Sequence, residues 1–194
     1  MKILQVIDFL PETSGGARFV VNLAIKLKQL GHEVDVLLID GKKSHFLEEL
    51  TRNSIRVISI SKNINRFNIL YSLKISKYLD KYDIVHTHIF PTSYQVSIAR
   101  IFNKKSAPIV FTEHSSFNRR ASNFLFKYIE VFMYKRFDKI ICLSEQVMNF
   151  LKENLPFKDS KYAIIQNAVD THKVDTCNAS KRNKIGLKGN DFII

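Results

Sequence analysis

The chain has 194 residues, of which 45% are hydrophobic and 25% charged, with a formal net charge of +12. This is the profile of a globular protein with a sizeable core. No apolar run is long enough to span a bilayer, and two cysteines, Cys142 and Cys177, suggest neither a disulfide framework nor a zinc site. The positive charge favours anionic partners, namely a membrane surface, phosphorylated substrates or nucleic acid. The N-terminus runs straight into a strand without the features of a signal peptide, so a reduced, cytoplasmic protein is expected.

Taken in order, the sequence alternates strand and helix. Ile3, Leu4, Val6 and Ile7 form a short apolar run, as in a strand covered on both faces. Ser14-Gly15-Gly16-Ala17 follows as a loop of small residues. Phe19, Val20, Leu23, Ala24, Leu27 and Leu30 then recur at helical spacing up to Gly31. A second strand is predicted over 33–39, a short helix around Phe46, Leu47 and Leu50, and a third strand over 55–60. An amphipathic helix over 67–79 would place Ile69, Leu70, Leu73 and Ile75 in the core. Strand 83–88, helix 94–102, strand 109–112 and an aromatic-rich helix 122–137 come next. Strand 139–143, a helix from 145 to about 155 ended by Pro156, and a strand at 161–165 complete the pattern. Strands alternating with helices predict an α/β fold with a doubly wound, mostly parallel, Rossmann-like sheet.

In such a sheet, ligands bind outside the carboxyl ends of the strands. The Gly15-Gly16 loop falls there, and the helix start behind it suits an anion such as a phosphate; a tight turn without a ligand fits the same residues. His86 and His88 lie two apart on one strand and share a face. No third metal ligand has convincing spacing, so no metal site is assigned. Glu113-His114 ends the next strand. His114 is placed to orient a hydroxyl or donate to a developing charge, with a titration range suited to it, or to serve as a structural imidazole. Ser144-Glu145 reads first as a helix N-cap. A nicotinamide enzyme should carry G-x-G-x-x-G after the first strand, which residues 9–16 lack. Nucleic-acid motifs are missing and the basic residues are dispersed, so no nucleic-acid partner is expected.

Five features in order carry a resemblance: Gly15-Gly16-Ala17, residues 83–88 (DIVHTH), Thr112-Glu113-His114, Leu143-Ser144-Glu145, and residues 165–170 (IQNAVD). Together they resemble the N-terminal domain of a GT-B glycosyltransferase of family 4. The resemblance implies retaining transfer of a sugar from a nucleotide-activated donor to a hydroxyl, in bacterial polysaccharide, lipopolysaccharide or glycolipid synthesis. It implies no cofactor beyond the nucleotide sugar and no metal. It implies a lipid-linked or saccharide acceptor and action at the inner face of the cell membrane. An anionic membrane surface as a further partner is suggested by helix 122–137, whose aromatics cover nearly every side and which carries Lys127, Lys135 and Arg136; a helix buried between sheet and neighbours fits the same residues. His114 would be catalytic. Gly15, Gly16, Arg18, His88, Glu113, Ser144 and Asn167 would bind donor or acceptor.

Two positions depart from the family pattern. Ala168 stands where Asn-Gly-Val-Asp is common, and Arg18 where many members carry Glu. The implied division is an acceptor-binding domain over 1–176, a basic linker over 177–190 and the start of a donor-binding domain at 191–194. Without the donor-side Arg, Lys and paired Glu, the chain alone is expected to be inactive. A sugar- or lipid-phosphate-binding module without catalysis is the alternative.

Overall fold

The computed structural model describes residues 1–61, 68–115, 120 and 123–168. The expected linker at 177–190, the strand expected from 191, Cys177, Ser122 and the Val169-Asp170 pair lie outside them. The elements run β1 (Lys2–Ile7), α1 (Gly15–Gln29), β2 (Glu33–Asp40), α2 (His45–Arg52), β3 (Arg56–Ser61), α3 (Leu70–Ser76), β4 (Ile84–His88) and α4 (Thr92–Phe102). They continue through β5 (Ile109–Glu113), α5 (Phe124–Tyr134), β6 (Lys139–Cys142), α6 (Glu145–Asn154), a 3-10 turn at Asp159–Lys161, and β7 (Tyr162–Ile164). The seven strands form one sheet in the order β3-β2-β1-β4-β5-β6-β7, and each neighbouring pair is parallel. The expected Rossmann-like α/β sheet is therefore the fold.

Alternation along the strands divides the interior in two. Leu4 and Val6 join Leu37, Val85, Phe111 and Ile140 in a core beneath α3, α4, α5 and α6. Ile3 and Ile7 join Val34, Val36 and Leu38 in a second core beneath α1 and α2. Gln5, between Ile3 and Ile7, pairs in register with His86, and His88 pairs with Thr112. These polar residues are thus brought to the α1 side of the sheet.

Three details differ from the sequence expectation. Gly15 and Gly16 belong to the first turn of α1 rather than to a loop, because the Ser14 hydroxyl caps the helix by accepting from the Ala17 N–H at 3.3 Å. The regular part of α3 is shorter than 67–79 and rotated. Tyr71, Ile75 and the following Leu79 meet the sheet, while Ile69, Leu70 and Leu73 are 59%, 58% and 43% exposed. The stripe spaced by four residues wins because it seats the large Tyr71 ring. Leu30, the last of the apolar residues at helical spacing, is the exposed C-cap of α1.

Candidate functional site

The sheet order reverses between β1 and β4, since the chain leaves β1 for β2 on one side and reaches β4 on the other. A crevice at the carboxyl ends of such a pair is where α/β sheets hold ligands. Ser14 O accepts from Arg18 N at 3.1 Å and Ser14 Oγ takes the Ala17 N–H, so the first turn of α1 is anchored. The Gly15 and Gly16 N–H groups make no hydrogen bond among the described residues. With the helix dipole they suit an anion.

The two glycines differ. A Cβ on Gly15 would meet nothing within 4 Å, whereas one on Gly16 would stand 2.6 Å from Ile89 Cδ1. Gly16 is the close approach that lets α1 start against the loop after β4. Ile89 itself holds φ at 57°, a conformation that costs a β-branched residue energy.

Across the crevice stand the imidazoles. His86 Nε2 lies 2.7 Å from Thr112 Oγ1, and the His86 and His88 rings are 4.1 Å apart. His88 Nε2 lies 2.6 Å from Gln5 Oε1, and His88 Nδ1 lies 3.3 Å from His114 Nε2. Phe19, on the second turn of α1, packs edge-on against His114 at 5.1 Å and His88 at 5.9 Å. Burial disfavours the charged rings. It lowers His86 to about 3 and His114 to about 4, and, with His86 and His114 nearby, holds His88 well below 6.5. From its residue type alone His114 is expected to titrate near neutrality. The packed aromatic environment instead keeps it neutral there, so its chemistry is hydrogen bonding rather than charge.

The structure places Gly15 and Gly16 at the start of α1 and sets His88 and His114 at the carboxyl ends of β4 and β5, with His88 fully buried, while the other candidates make contacts elsewhere. Arg18 turns to α2, pairing with Glu49 at 2.8 Å and stacking over Phe46 at 4.3 Å. Glu113, one residue on from Thr112, faces the opposite side of the sheet. Its Oε2 accepts from the Tyr134 hydroxyl at 2.6 Å and its Oε1 from Ser115 N–H at 3.0 Å, and burial raises its pKa. Glu113 thereby fastens to α5 the chain segment that carries His114. Ser144 caps α6, accepting from Val147 N–H at 3.3 Å, two strands away from β4. Asn167 is exposed beyond β7, the edge strand. Among the described residues no three His, Cys, Asp or Glu are grouped to hold a metal. Gln5, Phe19 and Ile89 belong to the site as well. Of these, Gln5 had a sequence signal, being a lone polar residue inside an otherwise apolar strand.

A parallel sheet with free helix-start amides and buried imidazoles near its switch point is a Rossmann-like domain with a place for a ligand. The chain belongs to Glycosyltransferase Family 4, which matches residues 13–173. It is 31% identical, over 98% of its length and 47% of the relative's, to the UDP-Gal:alpha-D-GlcNAc-diphosphoundecaprenol alpha-1,3-galactosyltransferase of Escherichia coli. A crystal structure of a glycosyltransferase from Rickettsia africae superposes with a TM-score of 0.73 at 27% identity, covering 97% of this chain and 50% of that one. Anabaena HepE in complex with UDP-glucose has the same fold, with a TM-score of 0.75 at 16% identity over 96% and 50% of the two chains. The chain spans about half the length of these relatives.

Proposed function

We propose that this domain forms the acceptor side of a retaining glycosyltransferase. It would move a sugar from a nucleotide-activated donor to a hydroxyl of a lipid-linked or saccharide acceptor, in the synthesis of a bacterial polysaccharide, lipopolysaccharide or glycolipid. The observation that carries the reading is one juxtaposition. The unbonded Gly15 and Gly16 amides and the neutral His114 imidazole belong to neighbouring segments at the carboxyl ends of the central strands, joined by Phe19 of α1, which packs edge-on against the His114 ring.

Breaking a nucleotide–sugar bond develops negative charge on the departing diphosphate, which donors set in advance stabilise without reorganising. Gly15 and Gly16 offer such donors from one side. The partially buried His114 ring is at hand to position a hydroxyl. The cations that would clamp the diphosphate are assigned to a second, donor-binding domain, with 1–176 as the acceptor domain and 177–190 as the link. Neither step calls for a metal. The name of the Escherichia coli relative supports a UDP-sugar donor and a diphosphoundecaprenol-linked acceptor, and HepE was crystallised with UDP-glucose. An alpha linkage is what retention gives from an alpha-linked nucleotide sugar. An acceptor of that kind would place the enzyme at the cytoplasmic face of the membrane.

The test is transfer by the complete protein carrying this domain. UDP-galactose, UDP-glucose and UDP-N-acetylglucosamine would be supplied with a polyprenyl-diphosphate-linked N-acetylglucosamine, and the product linkage read by NMR. Transfer with an alpha linkage is expected. A beta linkage would overturn retention. Binding of sugar or lipid phosphate without transfer from a wide donor panel would favour the non-catalytic module instead.

A further inference from the structure

Gln5 is completely buried, yet its amide oxygen points not to backbone but to His88, at 2.6 Å from Nε2. An amide oxygen only accepts, so His88 Nε2 carries the hydrogen. His88 is neutral, and a neutral imidazole has one N–H, so its Nδ1 is a bare acceptor. That acceptor lies 3.3 Å from His114 Nε2, which must then be the donor. His114 is neutral too, which leaves its Nδ1 bare. This nitrogen makes no hydrogen bond among the described residues. Three side chains from β1, β4 and the residue after β5 thus form a directed chain, and each link fixes the next.

We propose that Gln5 and His88 are positioning residues that lock His114 in the Nε2–H tautomer, so that His114 presents a hydrogen-bond acceptor to the crevice. The ligand group it takes is then a sugar hydroxyl, of donor or acceptor, rather than an oxyanion. This deepens the glycosyl-transfer reading and rests on it for the identity of the hydroxyl, but the tautomer itself does not. The packing supports the lock. Phe19 holds the His88 and His114 rings edge-on, and His86 lies against the His88 face while spending its own Nε2 on Thr112. Ring rotation at His88 would break the Gln5 and the His114 contacts together.

The experiment is long-range nitrogen–proton NMR on the protein labelled at histidine, at neutral pH and without any sugar. Its outcome is therefore separate from whether transfer occurs. Expected are Nε2–H and bare Nδ1 for both His88 and His114. Gln5→Leu should redistribute the His114 tautomer several-fold, because His88 no longer has an acceptor to hold its proton on Nε2. A wild-type His114 carrying its proton on Nδ1 would overturn the proposal, since the chain would run in the opposite direction. So would an unchanged tautomer in a folded Gln5→Leu. Should Gln5→Leu not fold, the wild-type spectrum alone decides between the two directions.

Discussion

At the scale of single residues, the two adjacent glycines separate packing from binding. Gly15→Ala meets open space and should change stability by no more than about 0.5 kcal/mol. Gly16→Ala drives a methyl into Ile89 Cδ1, and should cost about 1–3 kcal/mol in urea unfolding, the usual range for overpacking. Equal effects would mean that Gly16 is not the close approach between α1 and the loop after β4. His114→Ala in the complete enzyme should lower turnover by roughly a hundredfold, the scale for a positioned polar group, with the fold kept. Near-normal turnover in a folded variant would remove His114 from the site.

The same imidazoles set a pH dependence. Below pH 6.5 the unfolded chain binds protons that the folded chain refuses. Stability is therefore full above 6.5 and falls as pH drops towards about 4 for His114 and about 3 for His86. Each well-buried ring removes up to about 1.4 kcal/mol per pH unit in that window. Glu113 acts in the opposite sense. Its raised pKa adds stability below about 4.5, and this is lost as pH rises through its folded value, so one carboxyl opposes three imidazoles. Urea unfolding at pH 7.5 and 5 should show the loss, and a folded His86→Gln should show a shallower one. Residue positions are legible in the sequence in part. The i, i+2 spacing of His86 and His88 on one strand was enough to put them together, and His114 followed from its place at a strand end. The sequence alone does not show that β5 alternation sends Glu113 to the α5 side, nor does it pair Gln5 with a partner 83 residues away.

At the scale of elements, α5 carries more aromatic surface than the core absorbs. Glu130, Met133 and Tyr134 are buried, and Glu130 accepts from Arg120 Nε at 2.9 Å. Phe126, Tyr128, Ile129 and Phe132 are 49%, 71%, 43% and 48% exposed. The helix leads to a basic hollow of about 390 Å3 lined by Arg100, Phe132, Lys135, Arg136 and Asp138. An exposed apolar stripe ending in cations fits an anionic lipid surface, with the aromatics in the headgroup layer and the cations at lipid phosphates. The protein should bind vesicles containing anionic lipid and release as salt rises. Phe126→Ser with Phe132→Ser should weaken that binding about tenfold, because each ring is only half covered in the protein. Equal binding to neutral and anionic vesicles, or none, would refute it. Among the described residues no helix is long and apolar enough to cross a membrane. The sequence marks each helix from α1 to α6, yet not its rotation. Ile69, Leu70 and Leu73 are as apolar as Tyr71 and Ile75, and only the shape of the sheet beneath decides which stripe is seated.

At the scale of the whole molecule, strand–helix alternation was sufficient to foresee the parallel sheet, because no other layering covers so many short apolar strands on both faces. The strand order, and with it the β1–β4 crevice, came only with the structure. One sheet with a core on either face is a unit able to fold by itself, so residues 1–194 should melt cooperatively. Catalysis asks for more, since donors on one side of a diphosphate leave its charge half compensated. The most direct measurement is sugar transfer from a panel of nucleotide sugars to a lipid-linked acceptor, by purified residues 1–194 and, side by side, by a protein that joins this domain to the proposed donor-binding domain. The expected result is turnover by the two-domain protein and none above background by residues 1–194. Comparable turnover by residues 1–194 alone would contradict the assignment of this domain to the acceptor side of a two-domain enzyme.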